Sequence, residues 1–222
     1  MSTLVVAPHP DDELLGCGGL LLRRASEGTR VGWLIATSIS VEAGWTAEQV
    51  AHRQAEITNV AAGLGIRPED VFQLGFPATQ LDQVPKASLV QRMSQVFGTF
   101  LPDEVLTPHS GDVHSDHRIT TEVVDACTKW FRYPSVQRVV AYETLSETGF
   151  GRSSGEAFNP NVFVDISPWL ERKLELLRIY ASEMGAFPFP RSEEAVRALA
   201  QVRGAASGFD AAEAYELLLE RR

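Results

Sequence analysis

A short run near the amino terminus, His9-Pro10-Asp11-Asp12-Glu13, brings one imidazole and three carboxylates together within five residues. Three carboxylates this close repel one another unless a positive charge lies between them. An ordinary turn followed by helix-capping acids explains Asp11 and Asp12 but gives no reason for His9. A bound divalent cation is the hypothesis that accounts for all the polar residues of this run.

A second polar cluster lies at mid-chain, where His109, Asp112, His114, Asp116 and His117 fall within nine residues. A histidine pair spaced like His114 and His117 arises by chance in many sequences, so this cluster alone is weak evidence. Each of the two clusters, however, directly follows a short apolar run of strand length. Since parallel strands end at the same edge of a sheet, we expect the two clusters to face one another.

Two histidines and one carboxylate form an open three-ligand site in many zinc hydrolases, where a water molecule takes the fourth position. Iron(II) accepts the same combination of ligands, so the ligand types alone do not fix the metal. The sequence therefore predicts Zn²⁺ as the cofactor, with Fe²⁺ as the alternative.

The strands and helices that position these clusters can be predicted from the sequence. Short apolar runs of strand length alternate with longer stretches of helical periodicity, which is typical of an α/β protein. The predicted strands are residues 4–7, 31–36, 71–74, 104–107, 139–142 and 162–166. The predicted helices are residues 14–27 and 47–64, one helix within 86–100, one within 116–131, a segment after Pro168, 195–201 and 211–221. We predict a Rossmann-like three-layer sandwich, in which helices flank a mainly parallel twisted sheet, formed by residues 1–222 as a single domain.

Local signals support two of the helices and one loop. Thr46 with Gln49 forms a capping-box pattern before the second helix, and Asp210 with Glu213 repeats it before the last one. Residues 146–161 are rich in Gly and Ser and are predicted to form a loop. A long loop inside a compact domain is often functional, so we expect it to cover the substrate, with a mobile surface excursion as the alternative.

The composition narrows the classes of partner. The 222-residue chain is 44% hydrophobic and 22% charged, which is typical of a globular protein, and its net charge of -9 disfavours nucleic acid and anionic membrane surfaces. Cys17 and Cys127 have no metal or redox spacing and are interpreted as buried thiols. With no signal-peptide pattern and no apolar run of roughly 18 residues, a cytoplasmic protein is predicted.

Together the two clusters resemble the LmbE-like, or PIG-L, family of zinc-dependent de-N-acetylases, whose signature is Ala-His-Pro-Asp-Asp-Glu followed later by His-x-x-His. Here Pro8 stands between Ala7 and His9, and Ser115 stands where the family commonly has proline. The resemblance implies an LmbE-like fold, a small N-acetylated substrate, and a homo-oligomer such as a trimer or hexamer.

The resemblance also assigns roles to individual residues. It implies that His9, Asp12 and His117 bind the metal and that Asp11 is the general base. It implies that a protonated His114 assists at the transition state. Asp116 is expected to orient His114 and to stabilise its charge. Either Asp11 or His114 could protonate the leaving amine, and the sequence leaves that choice open.

Arg53 matches an arginine with which family members hold a polar group of the substrate, but a salt bridge with Glu56 is an equally good interpretation. Glu13 could support the first helical turn or hold a ligand histidine. His109 and Asp112 are reserve candidates for holding ligand histidines. Trp45, Phe150 and Arg191 are weaker candidates for the lining of a sugar pocket.

These observations favour a hydrolase that removes an N-acetyl group from an amino sugar or sugar conjugate and releases acetate and a free amine. A Rossmann-like nucleotide-binding module is one alternative, but its glycines should lie in the turn after the first strand. Here Gly16, Gly18 and Gly19 lie inside the first predicted helix. A catalytically inactive metal-binding protein is a second alternative, weakened by the presence of both Asp11 and His114.

Overall fold

The computed structural model describes residues 1–151 and 157–222, and these residues form a seven-stranded sheet with helices on both faces. The strands are β1 (Ser2–Ala7), β2 (Arg30–Ser38), β3 (Val71–Pro77), β4 (Glu104–Pro108), β5 (Arg138–Tyr142), β6 (Val162–Asp165) and β7 (Ala212–Glu220). The helices are α1 (Asp12–Ser26), α2 (Ala47–Gly63), α3 (Lys86–Phe100), α4 (Ser115–Ala126), α5 (Leu170–Leu177) and α6 (Glu193–Ser207).

The strands follow the order β3-β2-β1-β4-β5-β7-β6. Neighbouring strands from β3 to β5 pair in parallel, whereas β7 pairs antiparallel with both β5 and β6. The strand order therefore reverses between β1 and β4, where a doubly wound sheet opens its ligand crevice. The predicted three-layer α/β fold with a mainly parallel sheet is confirmed.

Alternate residues of β1 pack into two separate hydrophobic layers, as the twofold period of a strand requires. Val5 and Ala7 belong to the layer beneath α1, α2, α5 and α6. Leu4 and Val6 belong to the layer beneath α3 and α4. All four side chains are fully buried, so β1 is a central strand with helices over both of its faces.

The predicted helix over residues 211–221 is wrong, because this segment forms the strand β7. Its Ala, Glu and Leu residues have high helix propensity, but propensity is a weak preference that tertiary pairing overrides. Here β7 fills the space between β5 and β6, so both of its edges are hydrogen-bonded in the sheet. Glu213 therefore caps no helix.

Glu213 instead forms a buried ion pair with Lys173 of α5, with 2.8 Å between Nζ and Oε1. The same carboxylate accepts hydrogen bonds from the backbone N–H groups of Gly19 and Leu20, at 2.8 and 2.7 Å. Lys173 donates to the carbonyl oxygen of Leu15, at 2.9 Å. The pair thus bonds backbone groups inside α1 and joins that helix to α5 and β7.

The glycine cluster of α1 reflects close packing. A Cβ added at Gly16 would lie 2.2 Å from the ring of Tyr142, and one added at Gly19 would lie 2.5 Å from Ile166. Both distances are far below van der Waals contact, so only glycine lets α1 approach the sheet this closely. The glycines of α1 are therefore explained by packing, and they give no support to a nucleotide-binding site.

The capping box at Thr46 and Gln49 is confirmed, since each side chain accepts a hydrogen bond from the other residue's backbone N–H. Of the predicted loop over residues 146–161, residues 152–156 lie outside the described part of the chain. Within that loop, Thr148–Phe150 forms a single helical turn. Among the described residues, no helix is both long and apolar enough to cross a lipid bilayer.

Candidate active site

The two polar clusters meet at the carboxyl edge of the sheet, one after β1 and the other after β4. The turn after β1 is held by Thr37 of β2, whose backbone N–H and hydroxyl both donate to the carbonyl oxygen of Pro8, at 3.1 and 2.8 Å. The carboxylate of Asp12 accepts from the backbone N–H of His9, at 2.9 Å. The turn is thus fixed before any ligand binds.

His9, Asp12 and His117 present one ligand atom each within 4.8 Å of one another. The Oδ2 atom of Asp12 lies 3.4 Å from Nδ1 of His9 and 3.3 Å from Nε2 of His117. Two ligands bound to a tetrahedral zinc at about 2.0–2.1 Å are separated by roughly 3.3–3.4 Å. The donor types and their spacing both fit a zinc ion, and iron(II) uses the same donors.

A second possible metal group joins His9, His114 and Asp116. The Asp116 carboxylate, however, already accepts from Nε2 of His9 at 3.1 Å and from the backbone N–H groups of Thr79 and Leu81 at 2.7 and 3.0 Å. Those three donors occupy both oxygens. We therefore prefer the group of His9, Asp12 and His117.

The carboxylate of Asp116 makes its hydrogen bond to His9, because the start of α4 directs that side chain towards β1 and the segment after β3. Its negative charge also raises the pKa of His114, although burial and the neighbouring histidines outweigh that effect. Only the backbone N–H of Asp116 meets His114, donating to Nδ1 at 3.1 Å. The hydrogen bond to His9 leaves the Nδ1 atom of that ring for a metal.

The other candidate ligand, His117, is held in the same way by Asp112. Nδ1 of His117 lies 2.8 Å from Oδ2 of Asp112, which leaves Nε2 for the metal. The hydroxyl of Thr148 donates to the other oxygen of Asp112, at 2.6 Å. A carboxylate that orients a ligand histidine is a common feature of metal sites. The other reserve residue, His109, lies 3.2 Å from Glu216.

Asp11 precedes α1 with a backbone φ of 134°, which is uncommon for a residue other than glycine and costs on the order of 1–3 kcal/mol. Glu13 stabilises this conformation, because its Oε2 accepts from the N–H of Asp11 and its Oε1 from the hydroxyl of Tyr180, both at 3.0 Å. Glu13 thus supports the turn. Burial and the neighbouring Asp12 carboxylate raise the pKa of Asp11 to about 8.

The site contains two histidines with raised pKa values. Burial lowers the pKa of His9, but its bonds to Asp116 and Asp12 outweigh that effect and raise the pKa to about 9. Burial likewise lowers the pKa of His117, but Asp12 and Asp112 raise it to about 10. The neighbouring aspartates thus favour the protonated, positively charged form of both rings.

His114 behaves differently, because its pKa is lowered by burial and by the neighbouring His9 and His117. Its Nδ1 accepts a hydrogen bond from the backbone of Asp116, so the neutral ring carries its proton on Nε2. Its ring lies edge-on to that of His9, with 4.6 Å between the centroids. The residue lines the cleft as a neutral hydrogen-bond donor.

Arg53 makes the salt bridge to Glu56, with 3.2 Å between Nε and Oε2, and also lines the cleft. It also pairs with Glu183, a residue to which the sequence assigned no role. The Nη1 atom of Arg191 lies 3.5 Å from Oδ2 of Asp11, and Nη2 lies 3.5 Å from Glu183. The two arginines therefore share one carboxylate beside the expected base.

A cleft of about 250 Å³ opens above these residues. His9, Asp11, Asp12, His114 and His117 line one end of it, and Arg53 and Arg191 also line it. Trp45 belongs to the lining as anticipated, whereas Phe150 is absent from the described lining residues. Asp116 lies behind His9.

Fold and site together define a Rossmann-like α/β protein with a candidate metal site of two histidines and one aspartate at the reversal of strand order. Residues 4–128, more than half of the chain, match the PIG-L family, described as GlcNAc-PI de-N-acetylase. The chain belongs to this PIG-L, or LmbE-like, family. The matched segment contains His9, Asp12 and His117 but neither Glu183 nor Arg191.

Three similar proteins extend the likeness beyond that segment. A diacetylchitobiose deacetylase of Thermococcus kodakarensis is 27% identical, covering 95% of this chain and 80% of its own. A probable N-acetyl-alpha-D-glucosaminyl L-malate deacetylase 2 of Bacillus cereus is 26% identical, covering 82% and 84%. The crystal structure of the conserved protein TT1542 from Thermus thermophilus superposes with a TM-score of 0.79 at 28% identity, covering 100% and 96%.

Proposed function

We propose that this protein is a metal-dependent hydrolase that removes the N-acetyl group from an N-acetylated amino sugar or sugar conjugate. The products are acetate and a free amine. The observation that carries the proposal is the spacing of 3.3 and 3.4 Å between Asp12 Oδ2 and the two imidazole nitrogens. The two deacetylase relatives support the choice of an N-acetylated sugar as substrate.

We assign metal binding to His9, Asp12 and His117, with Zn²⁺ as the resident ion and Fe²⁺ as the alternative. When bound, such a metal lowers the pKa of a coordinated water to about 7 and polarises the substrate carbonyl. Asp112 and Asp116 orient the two ligand histidines through the hydrogen bonds at 2.8 and 3.1 Å.

Asp11 acts as the general base and takes the proton of the attacking water. Its pKa of about 8 applies without a metal, and the charge of a bound cation would favour the carboxylate form that a base requires. Its carboxylate is buried beside the metal group, and Arg191 and the turn bonded to Glu13 hold it in place. After attack, the same carboxyl group carries the proton that the departing amine needs, since an amide nitrogen leaves poorly without one.

His114 donates a hydrogen bond from Nε2 to the oxygen that gains negative charge during attack. The sequence interpretation gave this role to a protonated ring, but the lowered pKa favours a neutral one. A neutral donor held in place by the backbone of Asp116 stabilises the developing charge without a reorganisation during reaction. Arg53 then binds a polar group of the substrate at the edge of the cleft.

The remaining proposals concern the whole chain. Residues 1–222 are proposed to form one domain, because β1 and β7 share one sheet. A cytoplasmic location is in keeping with two buried, unpaired cysteines, Cys17 and Cys127. A homo-oligomer remains a prediction.

The test is release of free amine from a panel of N-acetylated amino sugars by metal-loaded protein, with a chelator-treated sample alongside. Asp11→Asn should keep its metal and lose roughly 100- to 10,000-fold in kcat, the contribution usual for general acid–base catalysis. The matched control is Asp210→Asn, which neutralises an exposed carboxylate outside the cleft and should leave kcat unchanged. Turnover retained by Asp11→Asn would remove Asp11 from the base role.

A further inference from the structure

Glu183 lies at the edge of the cleft, in the segment that follows α5, and its carboxylate contacts two arginines. Its Oε1 atom pairs with Nη2 of Arg53, and its Oε2 atom lies 3.5 Å from Nη2 of Arg191. The side chains of Arg53, Glu183 and Arg191 are 17, 28 and 23% exposed, so water and salt screen these pairs only in part. The proposed chemistry gives Glu183 no task.

The two guanidinium groups are held by Glu183 in the same way. Arg191 donates from Nε to the backbone carbonyl oxygen of Glu183 at 2.9 Å and faces the carboxylate with Nη2. Its Nη1 atom then faces Oδ2 of Asp11, at 3.5 Å. Arg53 uses Nη2 for the same carboxylate and donates from Nη1 to the carbonyl oxygen of Pro10, at 3.4 Å. Because a guanidinium group is planar and rigid, a carboxylate that holds one Nη atom also sets the direction of the other.

The conformation of Asp11 requires support from its surroundings. Its φ of 134° is unfavourable for a residue other than glycine and persists only where the rest of the structure holds it. One support reaches its backbone, since Glu13 accepts from the N–H of Asp11 and from the hydroxyl of Tyr180. The other reaches its side chain through Glu183 and Arg191. Both supports come from the segment that follows α5.

We propose that Glu183 is a positioning residue for the proposed base. It acts through Arg191 on the carboxylate of Asp11 and through Arg53 on the carbonyl group that precedes it. This inference rests on the proposed function, since the position of Asp11 affects turnover only when Asp11 takes part in the reaction. A misplacement of about 1 Å in a reacting group can lower a rate about 100-fold, so loss of Glu183 should lower kcat.

The alternative is a salt bridge that only joins α2 to the segment after α5. Such a bridge stabilises the fold, and its loss lowers the free energy of unfolding without changing the turnover of the folded enzyme. The two roles therefore predict different values of kcat for the same variant.

Turnover of N-acetylglucosamine is measured on metal-loaded wild-type, Glu183→Gln and Glu183→Ala proteins. Circular dichroism checks the fold, and chelator competition checks the metal affinity. Glu183→Ala should lower kcat about 10- to 100-fold at unchanged metal affinity. Glutamine keeps one acceptor oxygen and can hold only one of the arginines, so its kcat should lie between those of alanine and wild type. The control is Glu175→Ala, which removes a half-exposed carboxylate of α5 paired with Arg172 and should keep the wild-type kcat.

A double-mutant cycle tests whether Glu183 acts through the base. Glu183→Ala should lower kcat far less in the Asp11→Asn background than in wild type, because the group that it positions no longer accepts a proton. An equal loss in both backgrounds would overturn the inference. Wild-type kcat in Glu183→Ala, or in Glu183→Gln, would also overturn it.

The inference and the proposed function fail separately. Amine release by wild type together with an unaffected Glu183→Ala variant contradicts only the inference. If wild-type protein releases no amine from any sugar of the panel, the proposed function fails, and urea unfolding of Glu183→Ala, Arg191→Ala and the double variant still tests the contact. We expect the two changes to be coupled by about threefold or more in the unfolding constant, and additive changes would overturn the inference.

Discussion

Each proposed ligand histidine has one ring nitrogen directed at Asp12 and the other hydrogen-bonded to an aspartate of the mid-chain cluster. Asp116 holds His9, and Asp112 holds His117. We propose that these two aspartates orient imidazoles and do not bind the metal themselves. This arrangement fixes which nitrogen of each ring faces the ion.

Removing one of these carboxylates should weaken metal binding while the fold remains intact. We expect Asp112→Asn to lower metal affinity about 10- to 100-fold, because His117 loses the acceptor that orients it and raises its basicity. Competition with a chromophoric chelator measures the affinity, and circular dichroism checks the fold. Asp125→Asn on the same segment is the matched control. Wild-type affinity in Asp112→Asn would mean that the hydrogen bond to His117 has no effect on the metal.

Metal binding should release protons, and the affinity should rise with pH. In the metal-free protein His9 and His117 have pKa values of about 9 and 10, so both rings carry a proton at pH 7. Metal ligation requires neutral imidazoles, so at least these two protons leave as the ion binds. Calorimetry at pH 7 in buffers with different ionisation enthalpies counts them. A binding enthalpy that is independent of the buffer would contradict these pKa values.

At the scale of elements, α1 carries both Asp12 and the contacts to the Lys173–Glu213 ion pair. The sequence predicted α1 and its glycine cluster as helical, and it predicted the two strands that position the clusters. The prediction for residues 211–221 was wrong, because the local propensity favours a helix there. The strand forms because β7 pairs with both β5 and β6. The ion pair could not be predicted without that strand.

Breaking this ion pair should be costly, because one buried charge would remain without its partner. We expect Lys173→Met to lower the free energy of unfolding by about 3–5 kcal/mol, measured by urea denaturation. Arg172→Met is the control, since Arg172 is half-exposed and its salt bridge is to the neighbouring Glu175, and it should change stability by less than about 0.5 kcal/mol. A Lys173→Met protein as stable as wild type would show that the backbone N–H groups of Gly19 and Leu20 and the hydroxyl of Tyr215 satisfy Glu213 without the lysine.

At the scale of the whole molecule, the site combines two parts of the chain. The sequence predicts the position of one part in the site but not that of the other. The proposed metal ligands and the proposed base lie within residues 4–128, where the motif spacing and the reversal of strand order indicate their convergence. Glu183 and Arg191 come from a later segment and have no motif of their own. Their position beside Asp11 follows only from the packing of the loop after α5, which local sequence patterns do not encode.

The position of β7 between β5 and β6 also has a consequence for how the chain is made. On the ribosome, β6 and α5 are synthesised before the strand that pairs with β6 and supplies the carboxylate for Lys173. A nascent chain can therefore align β1 to β5 early, while β6 has no strand to pair with until β7 emerges. During that interval an unpaired edge and an uncompensated lysine are the features that a chaperone would shield.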